Sequence, residues 1–412
     1  MNKRLACAVT VALVAMVVIG IVAYQPAAET QTNTGPGPGA DQALALLRDV
    51  IERGNEVSFK ATQTIILWYP TGSSACITNV MHKAPNLTRT EYLPSATATS
   101  GYRVVISDGE STWHYEPSLG VVFHMPGTAP ERARQQKPGT GPGTVSAASN
   151  SAFSLIERNY TVSLMSTESL AGRRAHVIRL RPVNPGNPSR RIWVDTEYPF
   201  ILRTEKYRPN GFLSSLSFYN DIEFMPEIAD DAFRLQVPPR VAIVTLPGAG
   251  SLVSLEDLQK RAGFSVPVPN VVPAGYVLEG GTLTPREDVQ IAHIRFTDGL
   301  NTISLFIVPP VSGATGRRPG GPNIEDQFDA VSLGRQVLLD DGTKAQLADY
   351  QDAKLLRWLK SGYEFTLIGE VDESLLLQMA NSVDPPQSQE PLRNRFEGSV
   401  IRFFYEFLWT GK

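Results

Sequence analysis

Cysteine is nearly missing from this 412-residue chain: Cys7 and Cys76 are the whole complement, and Cys7 lies inside an N-terminal apolar run. The folded part therefore has no intramolecular disulfide, and both a disulfide-stapled scaffold and a four-cysteine zinc site are excluded. Surplus charge is also missing. Lys plus Arg is 38 against 41 for Asp plus Glu, and a formal charge of −3 gives no general attraction to polyphosphate, so no nucleic-acid partner is expected. With 42% hydrophobic and 19% charged residues, 33 Gly and 31 Pro, the chain is ordinary globular material rich in turns, which rules out collagen, coiled coil and wholesale disorder. The length leaves room for two or three domains.

The signatures of catalysis are absent too. His82, His114, His124, His176 and His293 all lie in strand-like runs, and no pair has the helical H-x-x-x-H spacing that presents two imidazoles to one metal. There is no G-x-S-x-G elbow, no phosphate-binding G-x-x-x-x-G-K-[ST] loop and no G-x-G-x-x-G after a strand. Asp230-Asp231 and Asp340-Asp341 sit in turn-like contexts, where adjacent carboxylates do not converge. No enzyme, no cofactor and no metal site is expected.

What is present begins at the N-terminus. Lys3 and Arg4 precede an apolar run from Leu5 to Ala23 of about membrane-spanning length, so residues 1–24 read as a signal anchor or a signal peptide. The exit, IVAYQPAAET, has no clean small-x-small site, which favours a retained transmembrane anchor with everything after Tyr24 facing outward. Residues 25–40 are a polar Gly/Pro spacer. Asp41 is expected to cap a helix carrying Leu44, Leu47, Val50 and Ile51, closed by Gly54.

From Ser58 the pattern changes to short runs of β-branched and aromatic residues separated by turn residues: Ser58–Tyr69, Cys76–His82, Thr88–Tyr92, Tyr102–Ser107, Ser111–Tyr115 and Gly120–His124. Residues 125–149 interrupt them as an insertion without periodicity. A short helix at Ser151–Arg158 precedes Tyr160–Thr167, Arg174–Arg181, Arg190–Asp195, Ile201–Tyr207 and Leu213–Glu223. So many strands with two helices build no parallel βαβ units. They predict a curled antiparallel sheet across residues 41–240, with the helices available to close one face.

Residues 241–253 read as a Pro-rich linker, and a second unit spans 254–384. It opens with a capping box at Ser254 and Asp257 and a closing Gly263, continues with seven extended segments and hairpin turns such as Asp298-Gly299, and ends in a helix near Asp372–Val383. Residues 385–412 form an amphipathic aromatic tail. The candidate binding residues are large side chains of the first sheet, Trp68, Trp113, Tyr115, Phe123, Trp193, Tyr207 and Phe218, with Phe212 nearby. Core packing is the default reading for any one of them, but their number against only two short helices leads to the expectation that together they line an apolar cavity.

Two sets of residues carry a family likeness. Ser107 to Pro117 (SDGESTWHYEP) followed by Val121-Val122 resembles the DG-x-x-x-W-x-Y-x-P hairpin of the LolA-like lipoprotein-carrier superfamily. Arg191 to Asp195 (RIWVD), then Pro199, Tyr207, Asn210-Gly211, and Phe233 before Pro238, is similar to that superfamily's later pattern. The second unit resembles the C-terminal domain of the MucB/RseB sigma-E regulators at Pro273 to Tyr276, at HIRFTDGLNTISLFI from His293 and at LIGEVDESLLLQMANSV from Leu367.

The resemblance implies an α+β protein on the extracytoplasmic, periplasmic side of a bacterial envelope. Its first domain would be a LolA-like half-open antiparallel β-barrel closed by helices that binds lipid or lipoprotein acyl chains. A smaller antiparallel α+β domain would contact an anti-sigma factor, giving a regulator of sigma-factor signalling. The alternative is a lipoprotein carrier or lipid-transfer protein without a signalling role.

Overall fold

The computed structural model describes residues 39–69, 72–94, 102–117, 120–126, 149–245 apart from 238 and 240, 252–286, 289–310, 334–350 and 353–386. The expected anchor at 1–24, nearly all of the 25–40 spacer and the aromatic tail from 387 onward lie outside them. Among the described residues no helix is long and apolar enough to cross a membrane.

Two sheets organise the described residues. The first unit opens with α1 (Ala40–Arg53), a short helical turn (Gly54–Glu56) and six strands: β1 (Phe59–Tyr69), β2 (Gly72–Lys83), β3 (Leu87–Leu93), β4 (Arg103–Ser107), β5 (Ser111–Glu116) and β6 (Val121–Pro126). Then come α2 (Ser149–Asn159), β7 (Tyr160–Leu170), β8 (Arg173–Pro182), β9 (Ser189–Asp195), β10 (Ile201–Tyr207), β11 (Leu213–Phe224) and β12 (Ala242–Thr245). They form one 12-stranded sheet in the order β12-β6-β5-β4-β3-β2-β1-β11-β10-β9-β8-β7, and its two end strands do not pair with each other. The sheet is open, not a closed barrel.

Side-chain alternation explains the strands. In β1, Phe59, Ala61, Gln63 and Ile65 are buried while Lys60, Thr62 and Thr64 are not, which is the period of two that a pleated strand imposes. α1 and α2 lie on one face, in a core with Tyr160, Ile178, Leu180, Ile192 and Val194. A second cluster joins Val104 and Ile106 to Ile228 and Phe233, which lie between β11 and β12.

Four local expectations need correction. Ala242–Thr245, read as linker, is the edge strand β12, and it runs parallel to β6 in a sheet whose other pairs are antiparallel. Met125 and Pro126 belong to β6 and Ser149 to α2, so the insertion is narrower, and its residues 127–148 lie outside the described chain. α1 begins before Asp41, with Gly39 in the left-handed region at φ 66° and no side-chain cap, so Asp41 sits in the first turn. Gly54 has helical φ and leads into the following turn because chain direction changes only after Glu56.

The second unit has α3 (Leu255–Ala262), β13 (Val277–Arg286), β14 (Val289–Thr297), β15 (Thr302–Val308), β16 (Arg335–Leu338), β17 (Lys344–Tyr350), β18 (Ala353–Lys360), β19 (Tyr363–Gly369) and α4 (Glu373–Asn381). Its seven strands are ordered β13-β14-β15-β19-β18-β17-β16. Half of the expected capping box forms: the Ser254 hydroxyl accepts the Asp257 N–H at 3.1 Å and donates to Asp257 Oδ2 at 3.0 Å, so the carboxylate meets the hydroxyl in place of the Ser254 N–H, and Gly263 ends α3 in the left-handed region. α3 and α4 cover one face through Leu258, Leu376 and Met379, which pack on Ile294, Leu305, Trp358, Phe365 and Leu367.

Candidate functional site

Strand register decides which side chains share a face, because neighbouring residues on a strand point to opposite sides. Directly paired partners run across the first sheet as Ile178, Ile192, Thr204, Ser217, Ile65 and Cys76. This row carries the helix-covered face, since Ile178 and Ile192 pack with α1 and α2. The adjacent row, Val177, Trp193, Arg203, Phe218, Thr64 and Ile77, points the other way.

The seven residues expected to line one cavity are therefore divided. Trp193 and Phe218 are on the face away from the helices, and so is Trp68, which alternates with Thr64. Trp113 pairs with His124 and the next residue, His114, with Phe123, so Trp113 and Tyr115 point away from Phe123. The row Ala61, Val80, Thr90, Val105, His114, Phe123 places Phe123 on the helix side. Tyr207 lies past a register shift, and its hydroxyl donates to Glu205, the neighbour of Arg191 on Trp193's side.

The six rings away from the helices include several with fixed polar partners. Trp113 Nε1 donates to Asp108 Oδ2 at 2.9 Å and its ring stacks on His124 at 4.0 Å. Trp193 Nε1 donates to Glu168 at 2.8 Å, and the Arg203 guanidinium lies 4.6 Å over its ring. Phe212 is exposed in the turn after Asn210-Gly211.

On the Ile65 side of the sheet, beyond the helices, Phe59, Ala61, Ile65, Val80 and Phe123 alternate with the buried polar residues Gln63, Thr78, His82 and His114, and Phe59 and Ala61 join a separate core with Phe200, Tyr219 and the buried Trp193. Burial lowers both His82 and His114 to a pKa of about 4, so both imidazoles are neutral at physiological pH, and burial raises the Cys76 thiol. An apolar chain with hydrogen-bonding groups suits such a face better than a charged one.

The same face continues into a contact with the second unit. One step along β9 and β10 the row reads Leu180, Arg190, Lys206, Ser215, Leu67 and Ser74. Lys206 is buried and its Nζ lies 2.9 Å from Glu370 Oε1, just after β19. Arg190 donates to the Leu300 carbonyl at 2.8 Å and to Asn301 Oδ1 at 2.7 Å. Both acceptors are in the β14–β15 turn.

Asp298 organises that turn. Its Oδ1 accepts the Leu300 and Asn301 N–H groups at 2.9 and 2.7 Å, and its Oδ2 accepts the Tyr160 hydroxyl at 2.5 Å. Asn159 Nδ2 donates to the Asp298 and Gly275 carbonyls at 2.9 and 2.7 Å. Burial, then the Asp298 charge, holds the Tyr160 hydroxyl well above its ordinary pKa, so it stays protonated as a donor. Sequence patterns identified Asp298 as a turn residue and Arg190 as a strand residue. Nothing in one dimension showed that they meet.

The first unit is thus an open, mostly antiparallel 12-stranded sheet with two helices on one face, joined to a second sheet that carries two helices of its own. Residues 102–234 match the family model of the MucB/RseB N-terminal domain. In fold, the chain is similar to MucB in complex with the periplasmic part of MucA (16% identity, 84% of this chain and 100% of that one, TM-score 0.51). It is similar also to the Pseudomonas aeruginosa MucA/MucB complex (16% identity, 84% and 100%, TM-score 0.50). An uncharacterized protein of Methanocaldococcus jannaschii is 25% identical over 235 residues, which are 56% of this chain and 63% of that protein, so the match spans less than two thirds of the relative.

Proposed function

We propose that this protein is an extracytoplasmic sensor that binds lipid or lipoprotein acyl chains on the helix-covered face of its first sheet and regulates an anti-sigma factor. The observation that carries the reading is the open 12-stranded sheet with two helices on one face, within which residues 102–234 match the MucB/RseB N-terminal domain. The fold it shares with MucB in its MucA complexes supports an anti-sigma partner. An outward-facing, periplasmic location and an N-terminal tether fit the apolar run before Tyr24.

Acyl binding would be driven by burial of hydrocarbon, at roughly 25 cal/mol per Å² of apolar surface. Of the seven residues first named as ligand contacts this reading keeps Phe123 and replaces the other six by Ile65, Cys76, Ile178 and Ile192 on the same side of the sheet. The test is mass spectrometry of organic extracts of the purified protein, together with titration of cis-parinaric acid. Co-purified lipid and saturable micromolar binding are expected. An empty extract with no binding overturns the acyl reading, and failure to retain any anti-sigma periplasmic segment in a pull-down overturns the regulatory one.

A further inference from the structure

The β14–β15 hairpin tip of the second unit reaches into the core of the first. Leu300 is 6% exposed and belongs to the cluster of Ala43, Leu47, Phe153, Ile192 and Val194, where α1 and α2 meet the sheet. Its own unit's core gathers elsewhere, around Ile294, Leu305 and Trp358. A residue at the apex of a hairpin is normally solvated. Here the apex is an apolar side chain delivered into another unit's helix–sheet interface and held there by polar anchors on both sides.

Those anchors are incompletely satisfied. Glu370 Oε2, the Tyr276 hydroxyl and Asn187 Oδ1 are buried without a hydrogen-bond partner, and all three residues lie at the contact between units. Glu370 meets Lys206 with one oxygen, while the other stays 3.9 Å from Arg190. Tyr276 lies near enough to Asp298 to feel its charge. Buried polar atoms left unpaired cost free energy, so this contact gives up part of the stability that apolar packing alone would supply. A contact with that cost is one a competing ligand can open.

We propose that Leu300 is an internal stand-in for the acyl ligand: it occupies the apolar cluster beneath α1 and α2, and a bound chain displaces it, freeing the β14–β15 turn and loosening the second unit. The proposal rests on the acyl-binding reading above. It makes the second unit the reporter of occupancy, because the strands that carry the helix-side apolar residues, β9 and β10, also carry Arg190 and Lys206.

The experiment compares the full chain with its Leu300→Ala variant, and uses Phe212→Ala, an exposed turn residue, as a control. cis-Parinaric acid is titrated by fluorescence, and amide hydrogen exchange across 297–302 is followed with and without it. Removing the stand-in should tighten probe binding at least about fivefold, given how much apolar area one buried leucine withdraws from water. In the unmutated chain, the probe should speed exchange of the Leu300 and Asn301 amides that Asp298 holds.

Equal affinities for the two proteins with unchanged exchange overturn the stand-in while leaving the acyl reading intact. Binding by neither protein overturns the acyl reading and the stand-in with it. Binding by Leu300→Ala alone supports displacement in its strongest form. If Leu300→Ala does not fold, Leu300→Met keeps the volume, and the exchange response of the unmutated chain decides by itself.

Discussion

Lys206 and Glu370 form an ion pair of 2.9 Å across the two sheets, and the lysine side chain is only 1% exposed. One charge comes from a strand of the first sheet and the other follows the last strand of the second. Taking a lysine fully out of water is costly unless its partner is fixed, so each unit makes the other's charge tolerable. The pair therefore ties the orientation of the two units to the integrity of both.

Lys206→Met should destabilise the protein by about 3 kcal/mol, because it strands Glu370 in a buried site. Adding Glu370→Gln should recover part of that loss, since it removes the orphaned charge. Urea unfolding of both variants checks this, and an additive or larger loss in the double variant would contradict the pairing.

Asp298→Ala removes the acceptor for two backbone amides and for Tyr160. A loss of about 2 to 4 kcal/mol is expected, since buried donors are left unmet. Tyr160→Phe should cost less, about 1 kcal/mol, because only the hydroxyl goes. The order of the two midpoints in thermal denaturation is the check.

Gly186 faces α4 across the contact with φ 85°, and a Cβ there would lie 2.6 Å from Leu375 Cδ1. Gly186→Ala meets both a strained backbone and a clash, costing of order 1–3 kcal/mol. The loss should appear at the contact: proteolytic nicking between the units should accelerate before global unfolding does, and uniform protection would argue against it.

Acid should weaken the fold well above the carboxylate range. Burial lowers His82 and His114 to about 4 and His293 to about 3. Between those values and the unfolded histidine value the unfolded chain binds more protons, so stability is complete near neutrality and falls as pH drops. At pH 5 the loss is about 2 kcal/mol per histidine. Denaturation midpoints should fall from pH 7 to pH 5, and His293→Gln should flatten that slope; an unchanged slope would refute the assignment.

Much of the fold was legible one residue at a time. Strands such as Ile201–Tyr207, Val289–Thr297 and Thr302–Val308 end where alternation and turn residues said they would, and Ser254 caps α3 as its pattern implied. β12 was not legible. Its four residues lie among prolines and glycines and gain strand structure only by pairing with β6.

The candidate site was legible only in part. Composition identified the aromatic rings of the first sheet, but which face each ring joins depends on register carried across many strands. A one-residue offset reverses every side chain, so Phe123 parts from Trp113.

Local chemistry thus determined this protein's elements: alternation, caps and turn residues act over a few neighbours, and the sequence contains all of them. Tertiary structure alone decided that Leu300 enters the first unit's core and that Lys206 meets Glu370. Both contacts join residues far apart in the chain, and their energies come from desolvation and fixed geometry, which arise only when the two sheets come together.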